Sequence, residues 1–89
     1  MEHASEVQIE NKYGLHARPA AEFDKLANRF RAEVWIRKED VEVSCKSIMG
    51  VMMLAAECGS TVNIRAAGDD AADAVQALVQ LVSNRFGEE

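Results

Sequence analysis

The feature that most constrains this chain is the way its hydrophobic period changes along 89 residues. SEVQIEN alternates, with Val7 and Ile9 on one side and Gln8 and Glu10 on the other, which predicts a strand. From Ala17 the spacing becomes helical, with Ala20, Phe23, Leu26, Ala27 and Phe30 on one face. EVWIRK and VEVSC alternate again around a KED turn, predicting a hairpin. KSIMGVMMLAAECG predicts a second, shorter helix that starts near Ser47 and is closed by Gly59, a residue suited to the left-handed conformation just past a helix. TVNIRAA is a fourth strand, with Val62, Ile64 and Ala66 in phase. After Gly68-Asp69-Asp70 a last helix is expected, with Ala71, Ala74, Val75, Leu78, Leu81 and Val82 as its apolar stripe and Phe86 as an extension of that stripe.

The predicted order is therefore βαββαβα. Each strand has one apolar face and each long helix one apolar stripe. The simplest closure is an α+β fold: a four-stranded antiparallel sheet with three helices on one face and water on the other. Trp35 would then lie on the open face, opposite in phase to Val34 and Ile36. A ferredoxin-like arrangement uses the same elements, and pattern alone does not separate the two. The length fits one domain over residues 1–89.

A net charge of −5 with no basic block argues against nucleic acid and against anionic membranes as partners. MEHASE lacks the charged-then-apolar layout of a signal peptide, and IMGVMMLAA is far short of the ~20 residues that span a bilayer. A cytoplasmic protein is expected. Cys45 and Cys58 are too few and too far apart for a zinc site, and both are expected to be plain, semi-buried thiols. His3 is expected in a frayed N-terminus without partners. Neither a glycine-rich phosphate loop nor a metal-ligand cluster is present, so no cofactor and no metal are expected.

Two short stretches ask for more than a core. In GLHARPA, His16 stands where the first helix begins, where backbone N–H groups lack intrahelical partners and the helix dipole is positive. Pro19 suits the first turn, and Gly14 lets the chain turn sharply into it. Such an end attracts phosphate. It also disfavours an imidazolium and so favours a neutral, nucleophilic ring. A phosphoryl group taken up by His16 would meet those donors and Arg18. The dipole is worth only about 0.3–2 kcal/mol, which suits a group that must be passed on. A capping or loop histidine is the plainer alternative.

In KSIMGVM, Ser47 occupies an N-cap position, which by itself accounts for a serine there. The helix that follows is too apolar for one stripe. By spacing, Ile48, Val51, Met52 and Ala55 would face the core, leaving Met49 and Met53 on a flank as adaptable docking surface. Gly50 inside so short a helix is not a choice made by propensity.

With both stretches in place, the sequence resembles the HPr family, the histidine-containing phosphocarriers of the bacterial phosphoenolpyruvate-dependent phosphotransferase system. The resemblance rests on GLHARPA and KSIMGVM at the family's spacing and in its element order. It implies an open-faced β-sandwich and a phosphocarrier rather than an enzyme, with a transient phosphohistidine on His16. The phosphoryl group would come from phospho-enzyme I, itself charged by phosphoenolpyruvate, to Nδ1 of His16, and would pass to a histidine of an enzyme IIA domain. Arg18 matches the family's phosphate-contacting arginine, and Ser47 the serine modified by HPr kinase/phosphorylase in many members. Ile48, Met49 and Met52 match the apolar patch on which partners dock. A transcriptional regulator is a further implied partner, and a monomer is the simplest state for a carrier that docks with several proteins in turn.

FRAEVWIRKED and SNRFGEE look like the nitrogen-related branch, NPr, and Met53 stands where many serine-regulated members carry a small polar residue. KSIMGVM points instead to the serine-regulated, sugar-uptake branch. A purely regulatory relative has glutamine in place of the histidine, and His16 sets this chain apart from it.

Overall fold

The alternating segments pair as one antiparallel sheet. The structure, a computed structural model, describes residues 1–87, so Glu88 and Glu89 of the SNRFGEE ending lie outside the described residues. Its strands are β1 (Glu2–Gln8), β2 (Glu33–Lys38), β3 (Val41–Ser44) and β4 (Thr61–Ala67), in the spatial order β1-β4-β2-β3. The helices are α1 (Ala17–Ala27), α2 (Ile48–Met53) and α3 (Ala71–Ser83), followed by a 3₁₀ turn at Arg85–Gly87. The expected order and sheet are therefore present. The order also decides against a ferredoxin-like sheet, in which β1 would lie inside against β3; here β1 is an edge strand paired with β4 alone.

The register sets the two faces. Opposite pairs such as Val7–Val62 and Ile36–Ile64 point toward the helices. Phe23 of α1, Val51 of α2 and Leu78 of α3 meet them in a core from which water is excluded. The reverse phase carries Trp35 and Arg65, paired across β2 and β4. The Arg65 guanidinium stacks over the Trp35 ring, 4.0 Å from its centre, and forms ion pairs with Glu2 of β1 and, at 3.1 Å, with Glu42 of β3. One side chain thus spans all the strands on the open face, as the phase of Trp35 required.

Three local expectations are corrected. The N-terminus is not frayed: β1 begins at Glu2, and His3 pairs with Ala66 and faces α3 across an open groove of about 540 Å³. The second helix does not reach Gly59. Leu54 is its C-cap, and Ala55 takes φ +54°, turning the chain so that Leu54 and Ala56 both enter the core. Lys38 Nζ donates to the Ala55 carbonyl at 3.0 Å and holds this turn. The cysteines are not alike either. Cys45 is fully buried and Cys58 exposed, and neither is in a disulfide. Burial, helped by the charges of Asp24 and Glu42, pushes the Cys45 thiol well up, so it stays protonated.

Asp70 supplies a tie that spacing did not predict. It stands at the start of α3 but makes no side-chain cap there. Its carboxylate instead accepts the N–H groups of Arg31 (2.9 Å) and Ala32 (2.8 Å), closing the α1–β2 link onto α3. Those bonds, the Arg31 one first, hold its carboxyl below the usual carboxylate range.

Candidate functional site

The link from β1 to α1 is built around a turn from Asn11 to Gly14. The Gly14 N–H donates to the Asn11 carbonyl at 3.1 Å, and the buried Asn11 amide donates back to the Gly14 carbonyl at 2.7 Å. Gly14 has φ +67°, and a Cβ placed there would lie 2.3 Å from the Ala56 carbonyl oxygen. That close approach, as well as the turn, demands glycine. The next residue, Leu15, buries its side chain and donates its N–H to the same Ala56 carbonyl at 2.9 Å. The β1–α1 link is thereby fastened to the α2–β4 link before α1 starts.

His16 is the N-cap residue of α1, with extended backbone (φ −76°, ψ −173°). Its carbonyl accepts the Ala20 N–H at 2.9 Å, while its imidazole makes no capping hydrogen bond. The ring is half-buried. Pro19 is buried in the first turn and brings no N–H, so the donors of this helix end are those of Ala17 and Arg18. No acidic residue stands in that first turn to compete with an incoming anion. The Arg18 side chain is exposed, and it lines a shallow cavity of about 220 Å³ with Pro19, Glu22, Phe86 and Gly87. The C-terminal turn reaches this place because Phe86 packs on Phe23 and Arg85 pairs with Glu10 at 3.8 Å. Phe86 does not extend α3: Arg85 and Phe86 both take positive φ and fold the chain back.

Ser47 is the N-cap of α2, and its Oγ accepts the Gly50 N–H at 3.1 Å. A Cβ at Gly50 would stand 3.4 Å from both Ser47 Oγ and Val43 Cβ, close to ordinary contact distance, so nothing in the packing demands glycine there. The expected inward face of α2 is largely wrong. Val51 is buried, but Ile48 is 41% and Met52 40% exposed, and Ala55 is exposed as well. Met49 and Met53 are more open still, at 70% and 76%. The helix is one turn shorter on its inner side than the spacing suggested, and Leu54 and Ala56 fill the core positions instead. Ile48, Met49 and Met52 thus share an exposed apolar surface with Met53, on a helix that packs against α1.

Spacing missed Tyr13, whose ring lies 6.0 Å from the His16 ring at 87°. An aromatic three residues before a helix-start histidine was the available signal. Among the described residues there is no group of His, Cys, Asp and Glu able to hold a metal, and no helix is long and apolar enough to cross a membrane.

Comparisons with known proteins identify the family. The family model for the PTS HPr component phosphorylation site matches residues 4–84. The phosphocarrier protein HPr of Neisseria meningitidis serogroup A is 46% identical over 82 residues, 92% of each chain. A crystal structure of an HPr from Thermoanaerobacter tengcongensis superimposes with a TM-score of 0.94 at 45% identity, covering 98% of each chain. A second structure from that organism, described as an HPr dimer, gives 0.78 at 46% identity over 92% of this chain and 94% of that one. The chain belongs to the HPr family, the phosphocarrier proteins of the phosphotransferase system, which carry a phosphoryl group and are not enzymes.

Proposed function

We propose that His16 is the residue that carries the phosphoryl group, receiving it from phospho-enzyme I and passing it to an enzyme IIA domain. The observation that supports this most is the placing of the imidazole at the N-cap of α1 without a capping bond, with Arg18 two residues on. On loading, the lone pair of His16 Nδ1 attacks phosphorus as the bond to the donor breaks, and the donor leaves with that bond's electron pair. On unloading, the acceptor histidine's nitrogen attacks phosphorus and His16 Nδ1 leaves with the electron pair of the N–P bond. The phosphoryl oxygens gain the helix end and the Arg18 guanidinium as partners, a stabilisation small enough to let the group leave again.

Ile48, Met49 and Met52 form the docking surface in this reading. Ser47 is the regulatory site: a phosphate there would put a dianion beside an apolar contact surface and weaken docking of enzyme I. Its exposure at an N-cap beside the methionines favours this second role, for an ATP-dependent HPr kinase/phosphorylase and a transcriptional regulator as partners. The protein acts in the cytoplasm as a single-domain monomer, in sugar uptake, with a nitrogen-related regulatory relay as the alternative branch.

The test is labelling by phosphoenolpyruvate and enzyme I. Acid-labile phosphate on the wild type and none on His16→Ala is expected. Label that survives in His16→Ala, or a wild type left unlabelled by an active cognate enzyme I, would overturn the proposal. Transfer from the labelled protein to sugar-type and nitrogen-type IIA domains, compared side by side, decides the branch.

A further inference from the structure

Three of the chain's four methionines fall within the six residues of α2, and none of them fills the core. Methionine is an adaptable core residue, yet here Val51, Leu54 and Ala56 take the inner positions and the thioethers stay outside. Met49 and Met53, the more open pair, stand one above the other at i and i+4. Gly50 lies three residues before Met53 and puts no side chain over that face. Oxygen added to any of these sulfurs would displace nothing in the core. The two cysteine sulfurs are placed differently: Cys45 is buried, and Cys58 is exposed on the α2–β4 link.

We propose that Met49, Met52 and Met53 form a reversible oxidation site at which hydrogen peroxide weakens partner docking, Met49 and Met53 reacting first. The sulfur lone pair attacks one oxygen of the peroxide as the O–O bond breaks. Hydroxide leaves with that bond's electron pair, and the proton released from the new S–OH group converts it to water. Sulfur thus gives up two electrons and the peroxide gains them. The sulfoxide is polar, and at Met49 and Met52 it stands within the apolar surface assigned to docking, where a partner would strip its oxygen of water. A dithiol-dependent sulfoxide reductase returns the two electrons and releases the oxygen as water. The inference rests on the docking role given to Met49 and Met52. It describes a switch rather than damage, because the oxidised side chains lie outside the core and the fold is kept.

The experiment treats the full chain with hydrogen peroxide in a Cys58→Ser background, with and without Met49→Leu, Met52→Leu and Met53→Leu combined. Peptide mass mapping follows the oxygen gained at each methionine. Initial rates give KM and kcat for phosphoryl transfer from phosphorylated enzyme I, each treated protein being compared with its own untreated form. Met49 and Met53 are expected to oxidise as readily as Met1, which is 88% exposed. KM should then rise about five- to fifty-fold, the ordinary effect of burying an unpaired polar group, at unchanged kcat and melting temperature. Methionine sulfoxide reductases with dithiothreitol should reverse the rise, and treatment should not move the KM of the triple variant. Met49 and Met53 left unmodified while Met1 is oxidised, an unmoved KM, an equal rise in the triple variant, or a melting temperature that falls with the rate would each overturn the proposal. Untreated Met49→Asp checks the docking role separately. A raised KM there beside an unmoved KM on oxidation sinks the oxidation site alone, whereas two unmoved values sink the docking role as well. An untreated protein that accepts no phosphoryl group overturns the phosphocarrier reading and this proposal with it.

Discussion

Gly14→Ala tests whether the two links around the site are held together as the structure shows them. Alanine at φ +67° carries a left-handed penalty of about 1–2 kcal/mol. Its Cβ would also start 2.3 Å from the Ala56 carbonyl oxygen and 2.9 Å from Glu57 Cα, both backbone atoms. Relief requires the links to part by roughly 1 Å to restore ordinary contact distance. That movement stretches the Leu15 N–H···O=C Ala56 bond from 2.9 Å, at a further cost of about 0.5–1.5 kcal/mol. Together these predict a loss of about 1.5–3.5 kcal/mol, or a melting temperature lower by roughly 6–28 °C for a domain of this size. Gly59→Ala is the internal control. It has φ +94° but nothing within 4 Å of an added Cβ, so the backbone term alone applies, about 1–2 kcal/mol. Urea unfolding of both variants gives the two losses. Hydrogen exchange at the Leu15 amide should be accelerated in Gly14→Ala only. If the two variants lose stability equally, within about 0.5 kcal/mol, close approach of the links is not what selects glycine at position 14 and the argument fails.

Other consequences follow from single residues. Ser47→Ala removes the acceptor for the Gly50 N–H and should lower stability by about 1 kcal/mol in denaturant unfolding, whereas Ser47→Asn, which keeps an acceptor, should lose less. Asp70 has a folded-state pKa below its unfolded value of ~3.9, so its contribution is complete above that pH and is lost as pH falls through the folded value; Asp70→Asn should reduce stability at pH 7 and flatten the acid limb of a stability–pH curve. At pH 8 a thiol reagent should modify Cys58 promptly in the native protein and reach Cys45 only on unfolding, since Cys45 is buried and its thiolate is disfavoured.

The central strands β2 and β4 and the two long helices were legible because each has one wet and one dry face, and periodicity records this directly. Val34 and Ile36 against Trp35, and Val62, Ile64 and Ala66 against Arg65, show the pattern at its clearest. The end of α2 was not legible. It depends on an alanine in a left-handed conformation, which no glycine or proline marked, and on a lysine from the neighbouring hairpin. Glu2 and His3 were hidden for a different reason. An edge strand has polar residues on both faces, so its first turns resemble a loose end. Asp70 was unreadable because its partners are main-chain N–H groups on a distant link. At the site, His16, Arg18 and Ser47 declared themselves through local chemistry at helix starts. Phe86 did not, since its packing depends on the Phe23 ring in another part of the fold, and the Tyr13 ring, three residues before His16, was passed over.

The fastening of the two links is made by main-chain atoms: Leu15 N–H to the Ala56 carbonyl, with Ile9 N–H to the Ser60 carbonyl and Gly59 N–H to the Ile9 carbonyl beside it. Such bonds are indifferent to most side chains. Evolution can therefore rewrite exposed positions of the α2–β4 link, Glu57 and Cys58 among them, without shifting the helix on which His16 stands. A mount of that kind separates the two demands on a carrier: the chemistry stays put while the surface offered to each new partner drifts freely, with Gly14 a residue of the joint at which any side chain brings strain.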